Sequence, residues 1–117
     1  MEPPQNRDLN ALVPELRRKV VAIRTQLLAE GYRPIITETG RTADRQAWLL
    51  KNKKSTVKHS KHQDGRACDF AFIKNGKAVW NPLYKGWRRL GAAAKNHGLI
   101  WGGGWLKFKD CPHVELP

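Results

Sequence analysis

Cysteine and acid are both scarce in this 117-residue chain. Cys68 and Cys111 are its two cysteines, too few for a disulfide-stapled scaffold, and in a reducing cytosol both are expected as thiols. Ten Asp and Glu stand against 22 Lys and Arg, a formal net charge of +12, which points to a polyanionic partner or surface without saying what chemistry it meets there. Long apolar runs are missing as well: pieces such as Val20 to Ile23 and Trp48 to Leu50 fall far short of the roughly 18 residues that a membrane helix needs, so no stable membrane insertion is expected. The opening MEPPQNRDLN has an acid and two prolines where a secretory signal would have a basic start and an apolar stretch, so no signal peptide is expected. With 40% hydrophobic residues, five Trp and a mean hydropathy of -0.63, the chain has enough apolar bulk for one compact domain over residues 1–117, and too little length for a second core.

Periodicity then places the elements. Leu16, Val20, Ile23 and Leu27 recur at steps of four, three and four, predicting a helix over about residues 14–30 with Pro14 near its start and Gly31 past its end. Residues 34–39 (PIITET) read as a strand that delivers Gly40 and Arg41 at its end. Thr42 caps a short helix to about Leu50, with Asp44 in its first turn and Ala47 and Leu50 expected inward. The lysine-rich residues 51–64 read as a surface loop. Residues 67–73 and 77–80 flank Asn75-Gly76, a strong hairpin signal. Asn81 as cap and Pro82 as first residue predict a third helix whose Leu83, Trp87, Leu90 and Ala94 share a face and which ends at Gly98. From Leu99 on, through three glycines, Trp105, Phe108 and Pro112, a loop and a last strand are expected. Helices and strands do not alternate regularly, which favours an α+β fold with a small antiparallel sheet and flanking helices.

Chemistry gathers around two of the four histidines. In H-Q-D-G-R-A-C-D, Gly65 permits a sharp reversal that folds His62 back over the strand carrying Asp69. In D-C-P-H, Asp110 precedes His113 by three residues, and Pro112 enforces an extended backbone before the histidine. His62, Asp69 and His113 make the nitrogen and oxygen inventory of a catalytic Zn2+ with one position left for water. Asp110 is then available as a general base for hydrolysis of an amide, and Arg41, at its strand end, as the group that meets the developing oxyanion. Adjacent strand residues face opposite ways, so if Asp69 faces the metal, Cys68 faces the core; Cys111 stays unassigned.

These words of sequence resemble a known family, the zinc D-Ala-D-Ala and L-Ala-D-Glu peptidases of the Hedgehog/DD-peptidase fold, and especially the small phage L-alanyl-D-glutamate endolysins. SKHQDGRACDF (residues 60–70) resembles the family pattern S-x-H-x-x-G-x-A-x-D, and WGGGWLKFKDCPHVEL (residues 101–116) resembles W-G-G-x-W followed by D-x-P-H-x-E. TETGRTADRQ (residues 37–46) is similar to the segment ending in G-[YF]-R-[ST]-x-x-x-Q, with Gly40 in place of the aromatic before the arginine. The resemblance implies His62, Asp69 and His113 as zinc ligands, Asp110 as general base and Arg41 as the substrate or oxyanion arginine. It also implies a peptidoglycan stem peptide as substrate, with the positive charge drawing the enzyme to anionic cell-envelope polymers. The expected setting is a monomeric phage lysis enzyme, synthesised in the host cytoplasm and acting on the cell wall after release through a separate pore. The alternative within the class is a D-alanyl-D-alanine carboxypeptidase.

Several residues keep plainer readings. His59 and His97 lack an acidic partner at a useful spacing and read as surface or helix-end residues. Trp101 and Trp105 either line a cleft or pack a small core, Glu115 either supports His113 across a strand step or is a surface acid, and Ser60 stabilises its turn. The clusters Arg17 to Lys19, Lys51 to Lys54, Lys58 with Lys61, and Lys85 to Arg89 would suit a nucleic-acid-binding module, but no zinc-finger, RNA-recognition or helix-turn-helix pattern accompanies them, so no nucleic-acid partner is expected.

Overall fold

The computed structural model describes residues 1–107 and 109–117; Phe108, placed by the sequence in the last loop, lies outside the described residues. Among the described residues the chain forms α1 (Pro14–Ala29), β1 (Pro34–Glu38), α2 (Ala43–Lys51), β2 (Ala67–Lys74), β3 (Lys77–Val79), α3 (Lys85–Asn96), β4 (Ile100–Trp101) and β5 (His113–Glu115), with short 3-10 turns between. The sheet runs β1-β2-β5-β4 and is antiparallel throughout. One edge of β2 pairs with β1; its other edge is divided between β3, opposite residues 72 to 74, and β5, opposite residues 67 to 69. That division sets Asp69 directly across from His113.

The core follows from the two periodicities. Leu16, Val20, Ile23 and Leu27 of α1 are fully buried, as their spacing predicts, and each contributes on the order of 1.5–3 kcal/mol by leaving water. On β2 the alternate residues Cys68, Phe70 and Phe72 join them in the core, so Cys68 faces away from Asp69 as expected. Phe72 meets Trp87 edge-on at 5.0 Å and Tyr84 at 5.6 Å, and Leu90, Ala93 and Ala94 of α3 complete that layer. Burial pushes the Cys68 thiol far above its ordinary range, with the Asp69 charge adding to it, so it is an inert packing group.

Three expectations need correction. In α2 the inward residues are Arg45, Gln46 and Leu49, whereas Ala47 is exposed and Leu50 half-buried. This helix packs its side against a polar wall built around Glu38, so apolar periodicity picked the wrong face. The third helix starts at Lys85, because Asn81 closes a turn: its side chain accepts from the Leu83 N–H at 3.0 Å and its carbonyl from the Tyr84 N–H at 3.0 Å. Leu83 therefore sits in that turn, 82% exposed, off the buried face. The stretch 51–64 also carries structure at its end, a 3-10 turn over Lys61–Asp64 that holds His62.

Candidate metal centre

Each side chain of the cluster is delivered by a different local device. Ser60 and Gln63 form a reciprocal cap on the Lys61–Asp64 turn, and Gly65 leaves it in the left-handed region at φ 68°. A Cβ at Gly65 would also lie 2.6 Å from the Ala11 carbonyl oxygen, so the reversal and the close approach of the N-terminal segment both need glycine there. His62, 2% exposed, is thereby turned over β2. Asp69 points out of β2 on the face opposite the core, and the pairing of β2 with β5 brings His113 alongside. The Asp69 Oδ1 lies 3.1 Å from His113 Nδ1 and 3.3 Å from His62 Nε2.

Hydrogen bonds on the outer nitrogens decide what the inner ones can do. His62 Nδ1 is 2.8 Å from the Thr39 carbonyl, which only accepts, so Nδ1 carries a proton and Nε2 is the nitrogen turned toward Asp69. His113 Nε2 donates to Glu115 Oε1 at 2.7 Å in the same way and leaves Nδ1 facing Asp69. Glu115 is itself fixed by Lys61, whose Nζ is 2.7 Å from Oε2 and donates to the Leu116 carbonyl at 2.6 Å. One donor atom from each of His62, Asp69 and His113 lies within 4.8 Å of the others. Two imidazoles held by outer acceptors, with inner nitrogens converging on one carboxylate, fit a zinc-type ion in both donor chemistry and support.

Electrostatics agree with that geometry. Burial opposes ionisation of Asp69, but hydrogen bonds from His113 and His62 outweigh it and hold its carboxyl far below the ordinary range. Burial likewise works against a charged His113, yet the hydrogen bonds to Asp69 and Glu115 raise its pKa to about 9. Without a metal, a proton occupies the ligand position on His113. Asp110 goes the other way: burial and the Asp69 charge raise its pKa, partly countered by His113, His62 and Arg41. A carboxyl shifted upward beside a cluster of metal-ligand character has the profile of a general base and acid.

Arg41 lies in the same cavity of about 720 Å3, together with Asp110, Trp105 and the His-Asp-His cluster. Its guanidinium is clamped: Nε and Nη2 donate to Glu38 at 3.1 and 2.6 Å, and Nη1 to Gln46 Oε1 at 2.9 Å and Ser60 Oγ at 3.5 Å. A bulge between Ile36 and Glu38 turns the Glu38 side chain inward, where it also binds Arg45. Burial would raise the Glu38 carboxyl, but its hydrogen bonds to Arg41 and Arg45 bring it below the ordinary range. Arg45 reaches on to Glu2 and the Pro3 carbonyl, and Thr39 donates to carbonyls of Asn6 and Asp8, so residues 2–8 brace the back of the site.

All five residues singled out by sequence, His62, Asp69, His113, Asp110 and Arg41, thus share one cavity. Glu115 supports His113 rather than facing solvent, and Ser60 both caps its turn and touches Arg41. The tryptophans divide: Trp101 packs on the α3 residue Gly91, while the Trp105 ring sits 5.2 Å from that of His113 in the cavity. His59 is exposed as expected, but it does have an acidic partner, Asp64 at 2.9 Å, and His97 caps the end of α3. Sequence reading missed Glu38 and Arg45, since an acid in a β-prone run and a helical arginine both pass for surface residues. Gln46 carried a signal, as the last position of the third motif.

Comparison with known proteins places this geometry. The sequence profile of the family described as D-alanyl-D-alanine carboxypeptidase matches residues 53–116. The chain is 32% identical over 122 residues to the peptidoglycan L-alanyl-D-glutamate endopeptidase CwlK of Bacillus subtilis (strain 168), across 90% of this chain and 73% of that protein. It is 35% identical over 90 residues to the L-alanyl-D-glutamate peptidase of Listeria phage A118, across 75% of this chain and 32% of that protein. Among solved structures, the Serratia marcescens L-Ala D-Glu endopeptidase ChiX superposes with a TM-score of 0.78 at 26% identity, over 93% of this chain and 83% of that one. The LdcB LD-carboxypeptidase, at 19% identity and a TM-score of 0.72 over 90% of this chain and 58% of that one, shares the fold. The α+β Hedgehog/DD-peptidase-like fold is the one these relatives have, and the chain belongs to the D-alanyl-D-alanine carboxypeptidase family of peptidases.

Proposed function

We propose that this protein is a zinc endopeptidase that hydrolyses the L-alanyl-D-glutamate amide of the peptidoglycan stem peptide, as a phage endolysin does. The observation that carries it is the convergence of His62 Nε2 and His113 Nδ1 on the Asp69 carboxylate, with Asp110 and Arg41 in the same cavity. The names of the relatives supply the bond and the polymer.

Zinc held by His62, Asp69 and His113 would supply a Lewis acid and lower the pKa of water at the site to about 7. Asp110 takes the proton of the water that attacks the alanyl carbonyl carbon, and passes it to the glutamate nitrogen as the C–N bond breaks. Its upward-shifted pKa makes it a better proton acceptor than an ordinary aspartate and so favours the first step. Arg41, rigid between Glu38 and Gln46, meets the negative charge that develops on the alanyl carbonyl oxygen without having to reorganise. Glu115 and the Thr39 carbonyl keep both imidazoles in the tautomers that leave the inner nitrogens free.

Digestion of purified peptidoglycan, with the fragments read by mass spectrometry, tests this. The expected products are stems that begin at D-glutamate and glycan strands that keep L-alanine; chelator stops their release and added zinc restores it. Release of free D-alanine instead would replace the endopeptidase with a carboxypeptidase, and release unaffected by chelator would remove the metal from the reading.

A further inference from the structure

The active cavity does not end at Asp110. Lys109 and Asp110 line both it and a smaller groove of about 200 Å3, whose other walls are Trp80, Pro82, Cys111 and Pro112, with Trp87 behind them. The two sides of Asp110 differ in chemistry. On the large side, Lys53 and Lys54 are exposed at the cavity wall and have no carboxylate partner among the described residues, whereas Lys61 is paired with Glu115 and Arg41 with Glu38. On the small side, beyond the shared Lys109 and Asp110, the lining is aromatic and proline-rich, and Trp80, just beyond the end of β3, is 63% exposed. A tryptophan so placed adds little to the core; it presents a flat apolar face, electron-rich at its centre, to whatever enters. The volume is below that of an ordinary small-molecule pocket and suits one ring rather than an extended chain.

We propose that this asymmetry reads the direction of the substrate, with the muramyl sugar of the glycan strand on Trp80 and the carboxylate-bearing end of the stem peptide on Lys53 and Lys54. The inference rests on the proposed cut between L-alanine and D-glutamate. In that substrate a single alanine and a lactyl group separate the broken bond from a pyranose ring. The carboxylates, beginning with the α-carboxylate of the γ-linked D-glutamate, all lie on the other side. A C–H face of the pyranose matches the indole, and the anionic residues match Lys53 and Lys54, which have no carboxylate partner among the described residues, the Lys54 ammonium lying 5.6 Å from the centre of the Trp48 ring. Because Asp110 stands between the two grooves, a substrate bound this way places its scissile amide beside the proposed base.

The test compares two substrates that differ only in the sugar, a disaccharide-tetrapeptide muropeptide and the same tetrapeptide with an N-lactyl group and no sugar. The wild type should favour the muropeptide in kcat/KM, mainly through KM, and Trp80→Ala should reduce that preference about tenfold while Trp80→Tyr restores most of it. Lys53→Gln with Lys54→Gln should weaken both substrates, and less so when the glutamate α-carboxylate is replaced by an amide. Thermal melts confirm that the variants fold. A wild type that treats both substrates alike, or a Trp80→Ala ratio equal to that of the wild type, overturns the inference. Failure of the wild type to cut the L-alanyl-D-glutamate bond in either substrate would instead overturn the proposed function, so the two failures are distinct.

Discussion

Glu38 joins stability to chemistry, and replacing it with Gln separates the two contributions. Its carboxylate, 2% exposed, lies between the guanidiniums of Arg41 and Arg45. Removing one partner of a buried ion pair costs about 3–5 kcal/mol, because the remaining charge is left in a poor solvent. Here Glu2 still faces Arg45 and Gln46 still holds Arg41, which argues for the lower end, about 3 kcal/mol. At about 4 °C per kcal/mol for a domain of this length, Glu38→Gln should lower Tm by about 12 °C at pH 7. The folded-state pKa of Glu38 is lowered, so its contribution is complete above its unfolded value of about 4.3 and is lost as pH falls through the lower folded value. The gap between wild type and variant, followed by circular dichroism, should therefore close below pH 4. Gln keeps only one acceptor oxygen, so Arg41 loses at least one of the two hydrogen bonds that fix its Nε and Nη2, and kcat should fall about tenfold with zinc content unchanged. A Tm drop under 3 °C, or a gap that stays constant from pH 7 to pH 3, would refute the reasoning.

Other perturbations probe the remaining parts. Asp110→Asn should lower kcat by about a hundredfold to ten-thousandfold while zinc, measured by elemental analysis, stays bound; retained turnover would take the proton-transfer role from Asp110. Glu115→Gln should weaken zinc binding about tenfold to a hundredfold, read by competition with a chelator, and unchanged affinity would reduce Glu115 to a surface acid. In the metal-free protein the His113 pKa is about 9, so zinc uptake at pH 7 should release a proton into unbuffered solution, and uptake without acidification would contradict the assigned ligand atom. At Gly102 a Cβ would lie 2.4 Å from the Asp110 carbonyl oxygen and 3.1 Å from the His113 Cβ, whereas at Gly104 it would meet nothing within 4 Å. Gly102→Ala should thus cost about 1–3 kcal/mol and most of the turnover, and Gly104→Ala neither; equal behaviour of the pair would refute the packing account.

How much of this was legible in sequence depends on whether a residue's role is set locally. The Asn75-Gly76 hairpin, the α1 face and the opposite facing of Cys68 and Asp69 were legible because turn chemistry and strand alternation act over a few residues. The five candidate residues were legible because a resemblance carried by three short motifs supplied the convergence that spacing alone left open. The inward face of α2 was not, because burial there follows charge pairing across the chain: Arg45 is buried by Glu38 seven positions earlier and by Glu2 forty-three earlier. The start of the third helix is not legible either, because Asn81 and Pro82 suit a turn as well as a helix start, and the helix begins at Lys85.

The departure at Gly40 follows the same logic. Where the family pattern has an aromatic before the arginine, this chain has no side chain, and a Cβ there would sit 2.9 Å from the Ala11 Cβ and 3.4 Å from the Asn6 side chain. The space is taken by the N-terminal segment, which also accepts hydrogen bonds from Thr39 and Arg45. Support for the carbonyl that orients His62, and through Arg45 and Glu38 for Arg41, comes here from residues about thirty to forty positions upstream. A long-range brace of this kind ties Arg41 to residues 2–8, so Glu2→Ala combined with Asn6→Ala, which removes the ion pair to Arg45 and the side chain that accepts from the Asp8 N–H and packs over Gly40, should reduce kcat with little change in Tm. That combination would expose a cost in positioning that half-exposed surface contacts do not ordinarily carry. If the double variant melts earlier yet turns over normally, the segment only packs the fold, and Glu38 with Gln46 suffices to hold Arg41.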